Sequence, residues 1–217
     1  MFNLSSYGLW LLVLINSLML ITFCFILIRP RTTRERASFA ALVGFLIALF
    51  TEKYGFPLTA YLVSGLAGVF YPGLDFFSQL SGGIWSALLG LQVNPFAQPL
   101  HSLSGIVIFT GMLILYYSAR MLHEAKKENR LANTGPYGVV RHPQYAALMV
   151  FMFGFVLEWP TVLTLVMFPI LLTIYSSLAQ REESESLERF GEKYALYAAS
   201  TPAFVPRLRS VSRGRFS

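Results

Sequence analysis

The stretch "NTGPYGVVRHPQYAAL", residues 133–148, gathers one arginine, one histidine, two tyrosines and two prolines between long apolar runs. Gly135 and Pro136 force a turn, and Pro143 pushes His142 out of helical geometry, so Arg141 and His142 are aimed from a rigid connection. A second polar stretch, "REESESLERFGEKYALY" at 181–197, carries Glu182, Glu183, Glu185 and Glu188, then Tyr194 and Tyr197. Glu182 and Glu183 leave a helix about 100° apart and cannot address one ligand in the same way. One is available to a ligand while the other fixes a basic group, for which Arg141 is the candidate. A plainer reading competes. In it Arg141 snorkels to phosphates, His142 caps a helix and the tyrosines anchor an interface. The glutamates then form a solvated face helped by Glu185 and Arg189 at i,i+4.

The elements that must position these groups are apolar. Of 217 residues 55% are hydrophobic and only 13% charged, with mean hydropathy +0.56, which is the composition of an integral membrane protein. The net charge of +6 lies between and after apolar segments, as topology signals do, so nucleic acid is not an expected partner. Residues 8–28 form a first uncharged span. No basic segment precedes it, and it is read as retained rather than cleaved. Its Cys24 is the single cysteine, which excludes an intramolecular disulfide and a cysteine metal cluster. His101 and His123 lack partners at ligand spacing, so no metal site is expected.

A second apolar region, 38–71, is interrupted by "TEKYGFP" at 51–57. It reads as one broken or tilted crossing with an extended outer end, with two short re-entrant halves as the alternative. Glu52 and Lys53 there either pair with each other or sit at a helix break. Residues 72–101 hold no lysine or arginine and read as an outer loop, with Trp85 at headgroup level. A third span at 102–119 is followed by basic residues, and segments 145–157 and 161–180 are separated only by "EWP", which demands a helical hairpin. The last span should continue two or three turns beyond the bilayer and stop at Gly191.

The expected fold is an all-α membrane protein of about five spans, N-outside and C-inside. Sixteen of the 17 lysines and arginines, all but Lys53, then lie on the cytoplasmic side. The expected organisation is a membrane region over 1–120, a catalytic half over 121–207 and a basic tail at 208–217.

The run "LANTGPYGVVRHPQY", an apolar hairpin, and "REESESLERFGEKYALYAASTPAFVPR" together resemble the C-terminal half of the isoprenylcysteine carboxyl methyltransferases and related phospholipid methyltransferases. The pattern combines GPY, RHPxY, paired glutamates, FGxxYxxY and a final P-x-F-x-P over about 131–207. "LFTEKYGFPLTAYLVSG", 49–65, is also similar to a segment of bacterial members. The resemblance implies an S-adenosylmethionine-dependent methyltransferase whose cofactor lies in an enclosed cytoplasmic pocket, in a bacterial inner membrane. Carried over by position, Gly135, Pro136 and Tyr137 form part of the pocket wall. His142 and Tyr145 contact the cofactor, Pro143 sets the turn, and Glu182 and Glu183 lie at the cofactor or acceptor side. The chain departs from the family at Ala147, where glycine is frequent.

The acceptor implied is hydrophobic or lipidic and reaches the site from the bilayer lipids. A carboxylate acceptor needs no base, only a cation such as Arg141. A thiol or amine must lose a proton, which makes Glu183, Glu182 or His142 a candidate base. Two rival readings are a nicotinamide-dependent membrane reductase with similar last spans, and a non-catalytic scaffold or transport component whose intramembrane ionisable residues would be Glu52 and Lys53.

Overall fold

The computed structural model describes residues 7–67 and 99–207, and every regular element within them is helical. The helices are α1 (Trp10–Ile28), α2 (Thr33–Phe50), a π-helical turn (Thr51–Gly55), α3 (Leu58–Ala67) and α4 (Pro99–Lys127). A single helical turn (Pro136–Val139) precedes α5 (Pro143–Glu158), α6 (Val162–Phe190) and α7 (Glu192–Ser200). Four of these are long and apolar enough to cross a membrane: α1, α2 with its π turn, α4 and α6. The fifth apolar helix, α5, has 16 residues and spans about 24 Å, short of a roughly 30 Å hydrocarbon core.

Helix α1 shows why bilayer is its solvent. Val13, Ser17, Leu20 and Cys24 form a buried stripe at helical spacing, while Leu11, Leu14 and Leu18 on the other faces are exposed. An exposed apolar surface of this extent has lipid as its natural partner. The stripe meets Leu42, Phe45, Leu46 and Leu49 of α2, and that layer continues to Phe151 and Met152 of α5 and Leu171 and Tyr175 of α6.

The closest helix pair is α4 with α5. A Cβ at Gly111 would lie 2.8 Å from the Phe151 backbone nitrogen and 3.0 Å from the Ala147 carbonyl oxygen. A Cβ at Gly154 would lie 2.9 Å from the Ile108 nitrogen. Small residues let two backbones approach where no hydrophobic force separates protein from lipid. Ala147 is fully buried in this contact. The close approach at this point is made from the α4 side, at Gly111.

Local chemistry sets the helix ends. Thr32 and Glu35 open α2 with a capping box: the Thr32 hydroxyl accepts the Glu35 N–H at 3.2 Å, and Glu35 Oε2 accepts the Thr32 N–H at 3.2 Å. Thr161 and Thr164 do the same for α6. Helix α6 runs on to Phe190 and ends at Gly191, whose φ of +56° favours glycine, as the sequence predicts.

Three expectations take definite form, and in the last the helix-break reading of Glu52 and Lys53 holds. The third span is longer than 102–119 because α4 continues without a break through its charged end to Lys127. The break in the second region is a π turn closed by the Phe56 N–H on the Thr51 carbonyl at 2.7 Å, after which α3 begins. Glu52 and Lys53 do not pair with each other. Glu52 is buried and accepts the Thr59 N–H at 2.8 Å, capping α3, while Lys53 Nζ lies 2.5 Å from Glu158 Oε1 at the end of α5. Adjacent residues on a helical turn point in different directions, so Glu52 meets the start of α3 while Lys53 meets the end of α5. Residues 72–98 of the expected outer loop, with Trp85, and the basic tail fall outside the described residues, while 99–101, expected in that loop, already belong to α4.

Candidate active site

The site forms where the segment before α5 crosses the extension of α6. Gly135 opens it with φ +57° and ψ −130°, and a Cβ there would lie 2.3 Å from Met121 Sδ, so both backbone and space call for glycine. Pro136 starts the helical turn that buries Tyr137. The chain then extends, and the Arg141 and His142 N–H groups donate to the Pro202 and Ala203 carbonyls at 2.8 and 3.1 Å. Pro143 starts α5, where a missing N–H costs nothing. The P-x-F-x-P segment thus pairs directly with RHP. Phe204 also lies against the His142 ring, with centroids 5.6 Å apart.

Glu183 is the hub. Its Oε1 accepts from Arg141 Nε at 3.0 Å and Nη2 at 2.7 Å, and lies 2.8 Å from His142 Nε2. Arg141 Nη1 donates to the Ala198 and Thr201 carbonyls, both at 2.8 Å. The guanidinium therefore ties α6 to the end of α7. Glu182 points elsewhere: its Oε1 accepts the Tyr145 hydroxyl at 2.6 Å, and its Oε2 lies 3.8 Å from His142 Nδ1. His142, only 6% exposed, stands between the two carboxylates. Tyr145 stacks on buried Tyr175, with centroids 5.6 Å apart.

A cavity of about 300 Å³ lies beside this network, against Tyr137, Arg141, His142 and Glu182. Tyr194 and Tyr197 of α7 add an aromatic wall, and Glu35, Lys126 and Arg130 complete the far side. The volume is at the small end of the range for ligand sites. Of the residues singled out in the sequence, Tyr137, Arg141, His142, Glu182, Glu185, Tyr194 and Tyr197 reach this wall. Gly135, Pro136, Pro143, Tyr145 and Glu183 stand behind it and hold the others.

The electrostatics follow from these contacts. Burial pushes the Glu183 carboxyl up, but the hydrogen bonds of His142 and Arg141 and their charges outweigh it, so its pKa falls below the usual value of 4.5. The α6 extension has left its apolar stretch by this point. Burial, with neighbouring charge, pushes both Tyr194 and Tyr197 up to about 12, so both remain neutral hydroxyls. The Tyr197 hydroxyl donates to the Tyr137 carbonyl at 2.6 Å, joining FGxxYxxY to GPY.

Glu35, like Lys126 and Arg130, is a cavity residue that motif reading missed. The spacing T-x-x-E marks it as a cap, and its Oε2 accepts the Arg31 and Thr32 N–H groups at 2.6 and 3.2 Å; nothing local says that α2 begins at the cavity. Arg189, expected to pair with Glu185, instead donates to Asn129 Oδ1. Among the described residues no group of three or more His, Cys, Asp or Glu is arranged to hold a metal ion.

Comparison with known proteins addresses this same half of the chain. Residues 96–193 match the family model described as phospholipid methyltransferase. The cobalt-zinc-cadmium resistance protein CzcN of Cupriavidus metallidurans is 32% identical over 128 residues, covering 58% of this chain and 56% of that protein. The chain thus spans little more than half the length of that curated relative. No solved structure matches. The matched segment holds GPY, RHPxY and the paired glutamates, whereas the 198–203 carbonyls that grip Arg141 and His142 lie beyond it. Over residues 96–193, a little under half of the chain, the protein is thus similar to the phospholipid methyltransferases, the group its motifs resemble.

Proposed function

We propose that the chain is a membrane-embedded methyltransferase that uses S-adenosylmethionine and methylates a hydrophobic or lipidic acceptor. One observation carries the reading: motifs spread over some seventy residues close around a single polar cavity of about 300 Å³. The donor set suits the cofactor. Carboxylates and aromatic rings favour a sulfonium cation, and Lys126 and Arg130 suit its amino-acid carboxylate. When bound, the cofactor supplies an electrophilic methyl group on that sulfonium.

The protein's own part is orientation. Glu182, fixed by the Tyr145 hydroxyl, is the one of the two adjacent glutamates that faces the cavity. Glu183 is assigned the supporting role of holding Arg141 and His142, because its Oε1 already has three neighbours. A carboxylate held below its usual pKa is a weak base. The site therefore suits an acceptor that arrives ionised, and for a thiol or amine Glu182 is the residue placed to take the proton. Arg141, with Nε, Nη1 and Nη2 all engaged, positions rather than binds the acceptor. Positioning of this kind contributes much of the rate in displacement reactions.

The catalytic half is assigned to 121–207, with Glu35 lent by the N-terminal membrane region. By the positive-inside rule the cavity is assigned to the cytoplasmic face, N-terminus outside, and the membrane assigned is a bacterial inner membrane. The test is calorimetric titration of S-adenosylhomocysteine into the detergent-purified protein. Saturable binding is expected, weakened at least about tenfold in Glu182→Ala and His142→Ala, since each removes a polar partner at the cavity. A folded sample that binds nothing would overturn the assignment.

A further inference from the structure

At the end of the bundle that carries the candidate site, the last turns of α1 and α4 leave a second cleft of about 260 Å³. One wall is Ile26, Leu27 and Arg29 from the end of α1; the other is Ala119, Arg120, His123 and Glu124 of α4. Positions 119 and 123, like 120 and 124, are i,i+4 neighbours on one face of α4. Leu122 and Lys126, another i,i+4 pair, face the methyltransferase cavity instead. One helix end therefore walls two cavities with adjoining faces, and no residue lines both.

The cleft is cationic at its rim and apolar below it. Two guanidinium groups and an imidazole face a single carboxylate, Glu124, which lies 3.4 Å from Arg120. Arg29 ends α1 in a left-handed conformation, φ +47°, with its N–H on the Phe25 carbonyl at 3.0 Å. Its Nε donates to the Ile26 carbonyl at 3.1 Å, which holds the guanidinium over the helix end. One turn deeper on the same stripe of α4, Tyr116 is exposed, as are Tyr117 beside it and Ile26 opposite.

A held cation pair above an exposed aromatic and apolar wall matches the two parts of a phospholipid, phosphate above and acyl chain below. We propose that this cleft binds the phosphate of an anionic phospholipid, at a site separate from the methyl acceptor's. A free phosphate ion would satisfy the cations and leave the apolar wall unused. The bound lipid braces the end of α4, and with it the Lys126 side of the first cavity.

The experiment is native mass spectrometry of the full chain in mild detergent, titrated with phosphatidylglycerol, phosphatidylcholine and inorganic phosphate. Each cation near an anionic lipid contributes about fivefold in affinity. Phosphatidylglycerol is therefore expected to bind about thirtyfold more weakly to Arg29→Ala/Arg120→Ala than to wild type, and about fivefold more weakly to Arg120→Gln, an exposed position that should not disturb folding. Arg34→Ala, a basic residue outside the cleft, should bind as wild type. Equal weakening by Arg34→Ala would mean diffuse attraction and no site. Equal binding of phosphatidylcholine, or displacement of the lipid by inorganic phosphate at equal concentration, would overturn the lipid assignment. So would undiminished binding in Arg120→Gln.

Discussion

The two ends of the helix bundle each carry an ion pair, and they are built differently. At one end Glu183 gathers Arg141 and His142, Arg141 reaches two backbone carbonyls, and a cavity lies alongside. At the other, Lys53 and Glu158 join the π turn to the end of α5, with the Tyr54 and Trp159 rings 5.5 and 5.8 Å from the lysine nitrogen. Beside that pair the Thr59 hydroxyl accepts the Val162 N–H at 2.8 Å, tying α3 to α6. The Lys53 pair is flanked by aromatic rings, and its partners close the helix ends on one another. The Arg141 network, by contrast, holds three chain segments around a space. The lesson is that charge within a membrane bundle marks a site only when something is left open beside it.

Three changes test that contrast, the largest effect first. Gly135→Ala should displace the turn that presents Tyr137, because the new methyl meets Met121 Sδ and the backbone disfavours any side chain. The expected result is loss of S-adenosylhomocysteine binding by calorimetry and about 1–3 kcal/mol of destabilisation in thermal unfolding. Adding Met121→Ala should recover only part of this, since φ stays unfavourable; full recovery would reduce the glycine's role to space alone.

Lys53→Met should destabilise the protein by an intermediate amount, about 1–3 kcal/mol, by leaving Glu158 without its cation. Binding of S-adenosylhomocysteine at the far end should stay within about twofold of wild type, since distant sites act independently. A parallel loss of binding would erase the distinction between the two ends. The paired variant Lys53→Met/Glu158→Met should regain stability, as replacing both partners of a buried pair often does.

The smallest effect is in pH dependence. Glu183 has a folded-state pKa below its ordinary 4.5, so its contribution to stability is complete above that ordinary value and is lost as pH falls through the lowered one. Thermal unfolding followed downward from pH 7 should show wild type losing its advantage over Glu183→Gln only in acid. Its side chain is 29% exposed, so solvent screening keeps the difference modest. Parallel curves for the two proteins would mean that the pairing adds no stability.

Motif order pointed to the part of the chain that the family model matches, and helix geometry foresaw that only one of the adjacent glutamates takes Arg141. That Glu183 takes Arg141 follows from the rotational phase at which α6 passes the 141–142 segment, 42 residues earlier in sequence. No local pattern carries that phase. The same limit hid Glu35, legible as a cap and silent as a cavity wall, and it left open whether Glu52 and Lys53 pair with each other or sit at a helix break.

By itself the sequence determined the all-helical membrane class, the turns at Gly135, Pro136 and Pro143, and the stop at Gly191. Those features follow from bilayer solvation and from single-residue backbone limits, which act locally. Tertiary structure alone decided which side chains line the cavity and which stand behind it. It also decided that the carbonyls of Ala198 and Thr201 complete the arginine's partners. Those outcomes depend on how deeply α5 and α6 pack and at what rotation, quantities set by the shapes of many apolar side chains together.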